Sequence, residues 1–222
     1  MLNWLHPLLF LPRGNSARKR SHQIQFSKSS NEPLKHFSVE DFEEISGMTY
    51  LTEPAFQSKG SYERVKRLTL KAVAEGRVSQ RARWLGDHYG DRLDNGFIED
   101  VSIHWVDDKM QYGLFAEKEI KRNAFIGEYT GLIKPCTIVS GEVNEYCFRY
   151  PLYKRSFIVY TIDAKMHGNE MSFMNHSSTP NCEAVVAFHN DLFHMCLRAL
   201  KNIPKDEQLF FDYGNEKWSQ SP

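Results

Sequence analysis

Cysteine pairing is the first thing this chain lacks. Cys136, Cys147, Cys182 and Cys196 are scattered with no C-x-x-C spacing, which argues against a zinc ribbon and for thiols kept reduced. A long hydrophobic run is missing too. The apolar opening Met1–Leu11 is too short to span a bilayer, and it lacks the charge-first order and small-residue cleavage site of a signal peptide. No membrane association is expected, although export by a route without a cleaved signal would leave no trace in the sequence. Net charge is also absent, with 28 Lys and Arg against 28 Asp and Glu, so the whole chain has no electrostatic footprint for direct nucleic-acid binding. There is no internal repeat.

The charge that is present is unevenly placed. Residues 1–36 hold Arg13, Arg18, Lys19, Arg20, Lys28 and Lys35 against Glu32 alone, a local +5 that leaves −5 for the rest. With few apolar anchors among Pro, Ser, Asn, Lys and Arg, residues 12 to about 36 read as a linker or tail, and order is expected to begin near Phe37. At 222 residues with 41% hydrophobic and 25% charged side chains, the remainder can bury a real core.

Residues 37–96 read as helical. Ser38-Val39-Glu40-Asp41 has the form of a capping box opening a short helix. From Ser61 to Ala74, Val65, Leu68, Ala72 and Val73 fall on one face, with Gly76 as a stop. A second helix is expected over Ser79–Tyr89, ending near Gly90, followed by a tight turn at Asn95-Gly96. Beyond it the pattern shortens to strand length, with runs at Val101–Val106, Tyr112–Ala116, Phe125–Leu132, Phe157–Ile162, Ala184–Phe188, Leu192–Ala199 and Gln208–Phe211. Parallel crossover helices have no room between them, so small twisted sheets are expected.

Three polar or glycine-bearing segments interrupt these runs. They are Tyr112-Gly113-Leu114-Phe115-Ala116 with Gly127-Glu128-Tyr129; Asp163-Ala164 and Gly168-Asn169 leading to Phe173-Met174-Asn175-His176-Ser177 and Pro180-Asn181-Cys182; and Phe211-Asp212-Tyr213-Gly214. Each alone reads as a surface turn, a core strand or a β-meander. In this order they resemble the SET-domain family, from about Val101 to Gly214, in its short stand-alone bacterial build.

The resemblance implies a mainly β fold, the SET β-clip with a threaded C-terminal segment, plus a small N-terminal helical region. The expected organisation is a basic flexible segment at 1–36, helices at 37–96, the catalytic domain at 97–214 and a tail at 215–222. It implies an S-adenosylmethionine-dependent protein-lysine methyltransferase acting on a basic protein such as a histone or histone-like protein, on chromatin. The alternative is a SET-fold scaffold without turnover.

By the same resemblance, Tyr213 is the catalytic-centre tyrosine and Tyr146 lines the lysine channel with Phe211. Tyr112, Gly113, Leu114, Asn175, His176 and Tyr213 meet the cofactor. No metal is implied. Phenylalanine at 211, where many relatives vary between Phe and Tyr, implies methylation beyond the first step. Gln111 stands where the family often has glycine, and Ser172 where it often has an arginine in an ion pair. Without cysteine-rich flanks something else must close the site; Trp218 is one candidate, and the N-terminal helices are another, or else a homodimer surface.

Overall fold

The computed structural model describes residues 9–14, 22–29, 31–137, 144–152 and 158–214. Trp218 lies outside them.

The basic N-terminal segment is not a linker where it is described. β1 (Gln23–Phe26) pairs antiparallel with β2 (Lys35–Ser38) and parallel with β5 (Val101–Trp105), which in turn pairs with β6 (Tyr112–Ala116). Ile24 and Phe26 are buried between exposed or half-buried Gln23 and Gln25, the two-residue alternation of a half-buried strand. Farther upstream, Phe10 and Phe56 exchange two backbone hydrogen bonds of 2.8 and 3.0 Å. Composition pointed to a tail because polar residues outnumber apolar ones here, yet two well-spaced anchors suffice when a sheet edge is waiting.

Three helices follow among the described residues. α1 (Val39–Ser46) is capped by Ser38, whose Oγ accepts the Asp41 N–H, and closes on Gly47 in the left-handed region at φ 68°. α2 (Lys59–Ala74) begins earlier than its apolar pattern predicts, because Ser58 and Ser61 cap each other reciprocally. α3 (Gln80–Asp94) starts at the Ser79 cap and runs through Gly90, the expected stop. Its buried face is Ala82, Leu85, Gly86, Tyr89, Gly90 and Leu93, and the glycines four apart allow close approach rather than a break. A Cβ at Gly86 would lie 1.8 Å from the Phe188 carbonyl oxygen, and one at Gly90 2.9 Å from the His189 ring. Asn95-Gly96 therefore ends this helix instead of turning a hairpin, with Gly96 at φ 53° donating to the Leu93 carbonyl.

The expected strand Phe125–Leu132 is two strands in two sheets. β7 (Phe125–Glu128) joins β12 (Asn175–His176), β15 (Phe210–Phe211), β13 (Cys182–His189) and β14 (Leu192–Ala199) in the order β12-β15-β13-β14-β7. β8 (Leu132–Thr137) joins β4 (Ala55–Phe56), β10 (Ile158–Asp163) and β9 (Cys147–Arg149) in the order β4-β8-β10-β9. The chain changes sheets at Gly131, where a Cβ would sit 2.8 Å from the Asp163 carbonyl oxygen. A short parallel pair, β3 (Thr49–Tyr50) and β11 (His167–Gly168), ties the helical region to the loop before β12.

The two-residue strand β15 decides the topology. It lies parallel between β12 and β13, with Asn175 opposite Phe210, His176 opposite Phe211, and Cys182 also opposite Phe211. Residues 177–181 thus arch over the chain's final strand, held by Ser177 N–H to Phe211 O and Asn181 N–H to Phe210 O, both 3.2 Å. The mainly β fold with a C-terminal segment passing beneath an earlier loop is the one the resemblance implied.

Gly86→Ala forces its methyl into the Phe188 carbonyl and should cost about 3 kcal/mol of stability through displacement of α3. Urea unfolding of the two proteins measures it; a change within experimental error would show that α3 and β13 can separate freely.

Candidate active site

Insertion of β15 brings the C-terminal motif against the Asn175-His176 strand. The Tyr213 N–H donates to His176 Nδ1 at 3.1 Å, so that nitrogen acts as the acceptor, and the two rings lie 5.1 Å apart. The Tyr213 hydroxyl donates to the Met174 carbonyl at 3.1 Å. Burial pushes the Tyr213 hydroxyl pKa well up, with Tyr146 and Glu145 adding to the effect, so it stays protonated throughout the neutral range. Tyr146 is half-buried, and its hydroxyl is likewise raised by burial and then by Glu145. The two tyrosines expected from sequence are therefore within each other's electrostatic reach.

Phe211 is fully buried, stacked on Phe148 at 5.5 Å and packed against Tyr213 at 4.8 Å. It backs Tyr213 rather than facing solvent. Glu145 and Asp212 are exposed at this end of the molecule.

On the opposite side stands the turn before β6. Gln111 has φ 58°, the left-handed conformation that glycine adopts readily, so a non-glycine residue is held here in a conformation that suits glycine. Tyr112 packs on Phe26 at 5.1 Å and on Phe173 at 6.2 Å, and its hydroxyl donates to the Lys28 carbonyl at 3.1 Å. Its own carbonyl accepts from Asn175 Nδ2 at 2.9 Å. That bond staples the turn to β12 and uses one donor of the amide, leaving Oδ1 to face a ligand. The Leu114 side chain is in the core and its carbonyl accepts from the Leu209 N–H at 2.7 Å, so neither is left to meet a cofactor.

Gly113 is required by packing. At Gly113 a Cβ would meet Gln208 Nε2 at 2.3 Å, and that same Nε2 is buried without a hydrogen-bond partner among the described residues. That amide is sealed from solvent, so the polar groups left to meet a ligand beside the turn are the half-buried Asn175 amide and the exposed His176.

Several residues that build the site were given no role from sequence, although Asn181 and Asp163 fall in its motifs and Ser172 was noted as a departure. Asn181 Oδ1 accepts from Phe210 N–H and its Nδ2 donates to the Gln208 carbonyl, both at 2.8 Å, locking β15 in place. Asn144 Oδ1 accepts from Tyr146 N–H at 2.9 Å while its Nδ2 donates to Asp163 at 3.2 Å. Asp163 also pairs with Lys134 at 2.8 Å. At Ser172 no ion pair stands in for an arginine among the described residues; its hydroxyl donates to the Asn169 carbonyl at 2.9 Å, beside Met48 of the N-terminal region. Only the alternation in Gln23-Ile24-Gln25-Phe26 could have flagged the support under Tyr112.

A model of the SET domain matches residues 111–214. Those residues form a SET domain. The chain is 32% identical over 107 residues to histone-lysine N-methyltransferase EZA1 of Arabidopsis thaliana, covering 46% of this chain and 12% of that protein. It is 36% identical over 110 residues to histone-lysine N-methyltransferase MEDEA of the same plant, covering 46% and 15%. The chain spans only that small fraction of the relatives' length. Among solved structures it is similar to a chain of an active polycomb repressive complex 2 in the stimulated state, with TM-score 0.47 and 26% identity over 56% of this chain and 16% of that one. It is similar also to a chain of the Chaetomium thermophilum polycomb repressive complex 2, with TM-score 0.48 and 24% identity over 59% and 17%.

Two outcomes are expected at the SET site. Gln111→Gly relieves a left-handed non-glycine residue and should raise stability by up to about 1 kcal/mol after the added chain entropy, read as a higher melting temperature. Burial pushes the Asp163 carboxyl up, but Lys134, the Lys165 N–H and Asn144 outweigh it and hold the net value below the ordinary 3.8. Its contribution is complete above that value and is lost as pH falls through the lower folded one. Stability of the wild type should therefore drop more steeply than that of Asp163→Asn in an acid titration below about pH 4; parallel curves would show that the carboxylate does not stabilise the fold in this way.

Proposed function

We propose that this SET domain transfers a methyl group from S-adenosylmethionine to the Nζ of a lysine in a basic protein such as a histone or histone-like protein. The observation that carries the reading is the convergence of Tyr146, Tyr213, Asn175, His176 and the Tyr112–Gly113 turn through the placement of β15. The names of the relatives supply the substrate class, and the exposed Glu145 and Asp212 suit a basic segment around the lysine. Chromatin is the corresponding place of action.

The chemistry demands a lysine with a free lone pair. An unperturbed lysine has a pKa of about 10.4, so a neutral amine at pH 7 costs on the order of 4–5 kcal/mol. Tyr213, packed on Phe211, and the half-buried Tyr146 make this an aromatic, low-polarity surrounding for the amine, which disfavours ammonium. When bound, S-adenosylmethionine supplies the methyl group and a sulfonium charge that further disfavours ammonium.

The hydroxyl proton of Tyr213 is committed to the Met174 carbonyl, so the phenol oxygen presents lone pairs that accept an N–H from the amine and turn its own lone pair toward the methyl group. Asn175 and the backbone at His176 and Gly113 would hold the donor. Orientation and electrostatics carry the rate without a strong base.

Transfer of radiolabelled methyl from S-adenosylmethionine to a panel of histones and a bacterial histone-like protein tests this. Tyr213→Phe should lower label by about 100-fold or more while S-adenosylmethionine binding and the melting temperature change little. Label on no protein, with donor binding intact, would leave a scaffold; undiminished label in the variant would remove Tyr213 from the reaction.

A further inference from the structure

Residues 59–84, which lie outside the SET match, hold eight Lys and Arg against Glu63 and Glu75, a local +6 that the chain's zero net charge conceals. On α2 these charges are ordered. Arg64, Arg67 and Lys71, three and four residues apart, share one face, and all are exposed on the side away from the buried Val65, Thr69 and Ala72. The stripe continues past the helix end, because Glu75 accepts from Arg77 Nε at 2.7 Å and pairs with Lys71 Nζ at 3.9 Å. Neither Arg64 nor Arg67 meets a carboxylate among the described residues, whereas the neighbouring Lys66 is taken by Asp191 at 3.1 Å and Arg81 by Glu183 at 3.6 Å.

Such a stripe works against its own helix. Like charges three or four residues apart repel on a helix surface, and α2 sets Arg64 beside Arg67 and Arg67 beside Lys71. An opposite charge brought from outside turns that repulsion into attraction.

We propose that the outer face of α2, from Arg64 to Arg77, binds the phosphate backbone of duplex DNA. From Arg64 to Lys71 the helix rises about 10 Å, the axial reach of about three phosphates of one strand. Guanidinium groups suit phosphate oxygens, which they can hold two at a time. A bilayer is the poorer partner, because α2 has committed Val65 and Ala72 to the core and leaves only Leu68 and Leu70 part-exposed, at 37% and 42%. Phosphate contacts position a protein without reading bases, so the binding is indifferent to sequence. The inference goes beyond the methyltransferase reading and does not depend on it: DNA affinity and turnover can fail separately.

Fluorescence anisotropy of the full chain with a labelled duplex, over a salt series, tests it. The wild type should bind two unrelated duplexes alike, with log affinity falling against log salt at a slope of about −3 to −4, as for four phosphate contacts. Arg64→Ala, Arg67→Ala and Lys71→Ala together should weaken binding by about tenfold or more at low salt and flatten the slope by about 3. The melting temperature should hold or rise, since the repulsion is gone. A control with Lys35→Ala, Lys121→Ala and Lys205→Ala, equal in charge and exposed elsewhere, should bind as the wild type does. Equal weakening in the control would reduce the effect to net charge, and binding that survives the α2 substitutions would place the contact elsewhere on the chain. Anionic phosphatidylserine vesicles bound in preference to the duplex would make the face a membrane one. Any of these, or no DNA binding at all, overturns the proposal.

Discussion

Placement of Phe210 and Phe211 between two strands that are neighbours in sequence is the constraint on which the remaining structure depends. Until that segment lies beneath residues 177–181, Asn175 has no ladder partner, His176 has no N–H to accept, and Tyr213 is remote from Met174. The cost of such a topology is entropic, since a chain end must find a gap whose sides are already shaped. Asn181 offsets it locally, offering donor and acceptor to the incoming backbone at Phe210 and Gln208. A polar residue in the middle of a fold is therefore part of its assembly, and its burial is tolerated because both ends of the amide are matched.

Electrostatics closes the other side of the molecule. Glu53, Glu128 and Glu170 are nearly devoid of solvent contact, and a buried carboxylate without a partner costs several kcal/mol. Arg13 lies against Glu53 and Glu128, each at 3.4 Å, and His22 against Glu170 at 2.6 Å, with Tyr50 completing that pair at 2.8 Å. The positive excess of the first 36 residues is thus partly the counterpart of negative groups inside the body. Its folded role derives from that match as much as from Ile24 and Phe26. The same segment props Tyr112 from behind, so support for the candidate cofactor turn comes from a part of the chain far from it in sequence.

Sheet-forming runs and the ordered motifs were legible in the sequence, because alternation and turn residues act over a few positions. The strands at 112–116 and 192–199 coincide with their patterns, and the Ser79 cap falls at the predicted start of its helix. What misled were residues with two meanings. Gly90 and Asn95-Gly96 carry the chemistry of stops and turns, yet the first serves close packing against His189 and the second a helix end. Gly131 divides one apolar run between two sheets because Asp163 leaves no room for a side chain.

Sequence alone determined that the C-terminal half is a set of short strands carrying the residues Tyr146, Asn175, His176 and Tyr213, since local periodicity and residue chemistry need no partner to be read. Only the tertiary structure decided that these residues meet, that Asn175 is tied to Tyr112, and that a +5 segment becomes a strand and a counter-charge. Those outcomes rest on pairings across 17 to 115 residues, as between Tyr129 and Tyr146 or Arg13 and Glu128, and such contacts depend on what else has already folded around them.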